Sequence, residues 1–98
     1  MSTQDVDRAR EVFTRRVSPV ARFLVDTLAA SPHKRTGFVR AASDLYGRAT
    51  ILDDKVQKLR MLLNSMRKRI SKVYPDREWF PVLNGTILLS RDKETDGE

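Results

Sequence analysis

The chain has 98 residues, 40% of them hydrophobic, which is enough for one compact core and no second domain. Nineteen Lys and Arg against thirteen Asp and Glu give a net charge of +6, and the absence of cysteine excludes disulfides and thiolate-ligated metals. No run approaches the roughly 20 apolar residues of a membrane span, and Met1-Ser2-Thr3-Gln4-Asp5 has no basic leader ahead of an apolar segment, so a metal-free cytoplasmic protein is expected.

The first element is a helix over 6–17. Val6, Ala9, Phe13 and Val17 recur at helical spacing, with Asp5, Asp7 and Glu11 where a helix dipole favours acids. Ser18-Pro19 restarts the chain, serine as a cap and proline pre-set for the first helical position. A second helix then runs to about Ala30, expected to bury Val20, Phe23, Leu24 and Leu28, and Ser31-Pro32 stops it. Lys34-Arg35-Thr36 reads as a short polar connection with Thr36 as the next cap. A short helix from Gly37 to Tyr46 follows, with Phe38, Ala41, Ala42 and Leu45 on one face and Gly47 as a left-handed terminator. Asp53-Asp54 opens a long helix to about Tyr74, which Pro75-Asp76 ends. Helix capping accounts for this acid pair without a magnesium site.

Beyond Pro75 the period changes. Trp79 to Leu83 and Thr86 to Ser90 are strand-like runs around Asn84-Gly85, a pair suited to a type I′ turn because both central residues need positive φ. Pro81 cannot donate to a ladder, so the first strand is expected at an edge. Arg91 to Glu98 is a polar, acidic tail expected to fray.

Charge and apolar spacing both single out the long helix. Between Lys34 and Lys72 eleven basic residues face three acids, a local net charge of +8. Such a patch suits a polyanion. Leu52, Val56, Leu59, Leu63, Met66, Ile70 and Val73 form a stripe with alternating steps of four and three. The stripe is expected to be the core, and it is also the pattern of a pairing seam. Opposite it lie Gln57, Met61, Asn64, Ser65, Lys68 and Lys72, with Asp54 and Lys58 nearby.

A short helix, a turn, a long basic helix and a hairpin follow the chain order of a winged helix-turn-helix. The stretches Leu45-Tyr46-Gly47, Val56-Gln57-Lys58-Leu59-Arg60, Met66-Arg67-Lys68-Arg69-Ile70 and Phe80 to Leu89 resemble the DNA-binding domain of response-regulator activators, over about residues 36–90. Two departures matter. That family's N-terminal sheet is replaced by helices, and the two-residue hairpin tip carries no basic residue. The generic winged helix is therefore the expected fold: α+β, mostly helical, with an extra N-terminal helix (residues 1–17) as a candidate dimerisation element, the domain at 18–90 and the acidic tail at 91–98.

On this reading the chain is a non-enzymatic, homodimeric regulator that binds double-stranded DNA in transcription or replication and associates with the nucleoid. Gln57 and Asn64 are types that bind adenine at two points, Lys58 suits guanine or phosphate, and Met61, Lys68 and Lys72 complete the face. Arg48 and Thr50, before the helix, are expected on phosphates, as are Lys34, Arg35 and Arg40. The rival reading is a helical protein-interaction module (an adaptor, antitoxin or phage-type inhibitor) that uses the seam or the basic face. RNA binding through that face has no aromatic platform behind it. His33 in its loop, the turn glycines and Trp79 give no catalytic or metal constellation, and no cofactor is expected.

Overall fold

The computed structural model describes residues 3–47 and 51–93. In chain order they form α1 (Thr3–Val12), α2 (Pro19–Ala30), a 3-10 turn (Pro32–Lys34), β1 (Arg35–Gly37), α3 (Phe38–Tyr46), α4 (Leu52–Val73), β2 (Arg77–Trp79), β3 (Val82–Leu83), β4 (Thr86–Leu88) and β5 (Ser90–Asp92). The result is an α+β fold: four helices with a three-stranded antiparallel sheet, β1-β4-β3, and a two-stranded one, β2-β5. No helix among the described residues is long and apolar enough to cross a membrane.

α1 stops five residues short of the expected Val17. Thr14 accepts the Val17 amide on its hydroxyl at 3.2 Å and the Ser18 amide on its carbonyl at 2.8 Å. This turn leaves Val17 exposed and delivers Pro19 to the first position of α2. Val6, Ala9 and Phe13 are buried in the chain's own core, so any dimer contact by α1 has to use its outer face.

The boundaries of α2 match the sequence reading, but its inner face is rotated. Ala21, Leu24, Val25 and Leu28 are buried, whereas Val20 and Phe23 are 42% and 48% exposed. The buried set follows i, i+3, i+4, i+7, and Phe23 falls nearly opposite its centre.

The expected polar connection is a strand. His33 and Lys34, both at positive φ, turn the chain out of α2. Arg35, Thr36 and Gly37 then pair with Leu88, Ile87 and Thr86. Thr36 is therefore a ladder residue, and Gly37 stands at the N-cap of α3. α3 buries Phe38, Ala41 and Ala42, and Gly47 (φ 82) terminates it as expected.

α4 starts behind Ile51, with Asp53 and Asp54 in its first turn rather than at the cap. At 22 residues it is about 33 Å long and outreaches the helices beneath it. Its stripe is buried only through Leu59, Leu63, Met66 and Ile70, while Leu52 and Val73 protrude. The middle of the seam is thus covered by the chain itself. Lys55 is buried too, and its Nζ donates to the Gly47 carbonyl at 3.3 Å, placing a cation where the α3 dipole is negative.

The hairpin forms as the Asn84-Gly85 signal indicates. Both residues have positive φ, Val82 pairs with Ile87 and Leu83 with Thr86, and β3 is an edge. The first strand-like run is broken, however, at Phe80, a fully buried residue in the left-handed region (φ 52). The break sends β2 to pair with β5 and β3 to pair with β4. Ser90, Arg91 and Asp92 of the expected tail therefore belong to a sheet, and residues 94–98 lie outside the described residues.

Arg67 of α4 holds this kink. Its Nη2 and Nε donate to the Phe80 carbonyl at 2.6 and 3.1 Å, joining helix to hairpin. Arg67→Met strands a half-buried carbonyl and is expected to lower unfolding stability by about 2 kcal/mol. Urea unfolding checks this, and a variant within about 0.5 kcal/mol of the parent would mean that the pin contributes no more than an average surface contact.

Candidate nucleic-acid interface

The outer face of α4 assembles most of the residues expected from the sequence. Gln57, Lys58, Met61, Asn64, Lys68 and Lys72 are all exposed along one side of the helix. Met61 lies near the middle of this face and is 63% exposed, a large apolar side chain amid polar ones. Lys58 Nζ sits 5.7 Å from the centre of the Tyr46 ring, which restrains its stem against α3. The Asn64 side-chain oxygen accepts from Arg67 Nη1 at 3.0 Å, so its amide is held in place by the residue that fixes the hairpin.

The remaining expected contacts divide. Arg40 is exposed on α3. Lys34 and Arg35 are exposed at the other end of the sheet from the hairpin tip, since Arg35 pairs with Leu88 whereas Gly37 pairs with Thr86 beside the turn. Arg48 and Thr50 lie outside the described residues.

Electrostatics separate this face from the rest of the molecule. Asp26 draws Arg10, Arg22 and Arg15 to within 3.0, 3.1 and 3.4 Å. Asp5 lies 2.9 Å from Arg77 Nε, Asp76 is 3.1 Å from Arg8, Glu78 is 2.7 Å from Arg91, and Arg77 also pairs with Asp92. Every ion pair among the described residues lies within α1, α2, the turn that joins them, the turn after α4, and β2 with β5. None includes Arg40, Lys58, Arg60, Lys68 or Lys72. Acids on the basic side are confined to Asp44, Asp53 and Asp54, all exposed near the N-terminal end of α4 or on α3.

Two further residues belong to the face and follow from its helical spacing. Arg60 and Arg67 flank Asn64 at i−4 and i+3, forming a ridge that turns from the outer face toward the hairpin. The spacing is visible on a helical projection, but not the location of the hairpin against that ridge. Burial lowers the pKa of the Arg67 guanidinium, and the charge of Glu78 works the other way.

Comparison with known proteins returns no matching family, curated relative or solved structure. The chemistry of the face therefore stands on its own geometry. Among the described residues no cluster of three or more His, Asp or Glu side chains is arranged to hold a metal ion.

The acid clusters carry a pH signature. Partial burial opposes ionisation of Asp26, but hydrogen bonds and charge from Arg22 and Arg10 overcome it and hold its pKa below the usual carboxylate range. The hydrogen bond from Arg91 lowers Glu78, and that from Arg8 lowers Asp76. Depressed folded-state values mean that this stabilisation is complete above about pH 5 and is lost as pH falls through about 4 and below. The melting temperature is expected to be flat from neutral pH down to that window and then to drop. Asp26→Asn should melt lower at pH 7 and show a shallower acid decline; an unchanged acid slope would remove Asp26 from the account.

Proposed function

We propose that the chain is a winged-helix domain that binds double-stranded DNA, with the outer face of α4 in the major groove, and that it serves as a small transcriptional or replication regulator. The observation that carries the reading is the segregation of charge: Asp5, Asp26, Asp76, Glu78 and Asp92 are engaged by arginines elsewhere, while Lys58, Arg60, Lys68 and Lys72 of α4 are exposed and have no ion-pair partner among the described residues. An array of uncompensated Lys and Arg on a rigid helix gains from phosphate neutralisation and counterion release.

The topology supports the same reading. α2, β1, α3, α4 and the β3–β4 hairpin follow one another as the elements of a winged helix do, and β1 joins the hairpin to complete a three-stranded sheet. α3 braces α4 across Ala41, Ala42, Leu59 and Leu63, leaving the opposite side of α4 to enter a groove about 12 Å wide. Asp53 and Asp54 at the start of α4 repel phosphate, so the central turns carrying Gln57, Met61 and Asn64 are the deepest point of entry. Met61 suits a thymine methyl, and Gln57 and Asn64 suit adenine.

Fluorescence anisotropy with a random-sequence duplex, over a salt series, tests the face. Affinity should fall steeply with salt, and Lys58→Ala/Lys68→Ala should weaken binding and reduce the log–log slope by about 2. Absence of binding at low salt would sink the proposal. Once a preferred site has been selected, Gln57→Ala and Asn64→Ala should each cost about 1–3 kcal/mol of discrimination at one base position. Unaltered site preference in both variants would move the reading surface elsewhere.

A further inference from the structure

Duplex binding leaves one surface unexplained. Between α3, α4 and the hairpin lies a cleft of about 570 Å³ with Phe38, Val39, Val56, Leu63 and Val82 on its walls. Val39 is 54% exposed and Val82 38%, and Leu83 beside it is similarly open. Phosphate gains nothing from aliphatic side chains, and a merely solvated surface has no cause to gather them from three elements. The cleft also carries charge of one sign. Arg60 and Arg67 line it, Arg40 is exposed next to Val39, and no carboxylate is among the lining residues.

We propose that this cleft is a docking groove for an acidic protein segment with one or two apolar anchor side chains. Charge complementarity selects the occupant. Aliphatic walls take a leucine or an aromatic ring, and the unpaired guanidinium of Arg60 on the rim takes a flanking carboxylate. The volume falls within the range of preformed ligand pockets, about 300–1,000 Å³. The walls are fixed in advance. Arg67 ties α4 to the Phe80 carbonyl, and the Phe38 amide donates to the Gly85 carbonyl at 2.8 Å, so α3, α4 and the hairpin tip are mutually anchored. Asn64, Arg60 and Arg67 are shared between the cleft and the outer face of α4, whereas Gln57, Met61 and Lys68 do not line the cleft, so an acidic segment and a duplex occupy adjoining surfaces that meet along this ridge. The inference does not depend on the duplex being bound.

Panning a phage-displayed library of random twelve-residue peptides against the immobilised full chain tests it. Enriched peptides should pair Asp or Glu with Leu, Phe or Trp, and as synthetic peptides they should shift the amide resonances of Val39, Val56, Val82 and Gly85. Val39→Ser/Val82→Ser, which alters exposed positions only, should weaken them about tenfold and leave duplex affinity within about twofold. Arg60→Glu should weaken the same peptides through charge reversal. The proposal is overturned by no enrichment above the bare support, by peptides lacking acids, or by equal affinity for a folded Val39→Ser/Val82→Ser variant. It is also overturned if a duplex, rather than a peptide, perturbs these cleft resonances.

Discussion

The structure turns on one carbonyl. Phe80 sits in the left-handed region with its ring fully buried, a backbone state that an aromatic residue holds only when its surroundings demand it. Those surroundings are a guanidinium from α4 on the carbonyl and two aromatic neighbours, Phe13 and Trp79, each with its ring centre 6.1 Å from that of Phe80. Because the chain kinks there, one strand-like run serves two sheets. Trp79 is placed under the end of α4, with its indole nitrogen donating to the Tyr74 carbonyl at 2.9 Å, and Val82 is placed over the flank of α4. Without the kink the hairpin would have no fixed position, and the cleft beside α4 would have no second wall.

The pattern of charges follows from the same arrangement. The α1 and β2–β5 side gathers arginines and carboxylates in compact clusters, where each acid meets one or more cations. Surface pairs of this kind stabilise little individually. Their larger effect here is on the field: they remove carboxylates from circulation, so that the net positive charge of the chain is expressed on α3 and α4. A helix of 22 residues that extends past the core displays that charge along its length.

Much of this was legible in the sequence because the signals were local. Asn84-Gly85, Ser18-Pro19 and Gly47 each impose a backbone conformation on their own position, and turn, helix start and helix end appear where those residues stand. The outer face of α4 was equally legible, since a helical projection needs only the correct phase. Features set by distant partners were not. Arg35-Thr36-Gly37 has no strand signature and becomes a strand because β4, some fifty positions on, presents an open edge. Val20 and Phe23 looked like core because they are apolar, yet the face of α2 is decided by where α1, α3 and α4 lie. The kink at Phe80 was invisible because its cause is Arg67, a surface-type residue on another element. The cleft was missed for the same reason: no one segment contains it.

The contact between Asp5 and the β5 region joins positions far apart in the chain. The Ser90 hydroxyl donates to the Asp5 carboxylate at 2.5 Å across 85 positions of chain, and Arg77 meets the same carboxylate. In an unstructured polymer this is among the longest loops the molecule has to close. Once α2, α3 and α4 have collapsed and the hairpin is pinned, the two segments are already neighbours and the remaining loop is short, so the entropy of closure is small. The clasp therefore adds little entropic cost to a chain already folded around it. It ties the first helix to the last strand, so that both ends of the described chain are anchored in the fold.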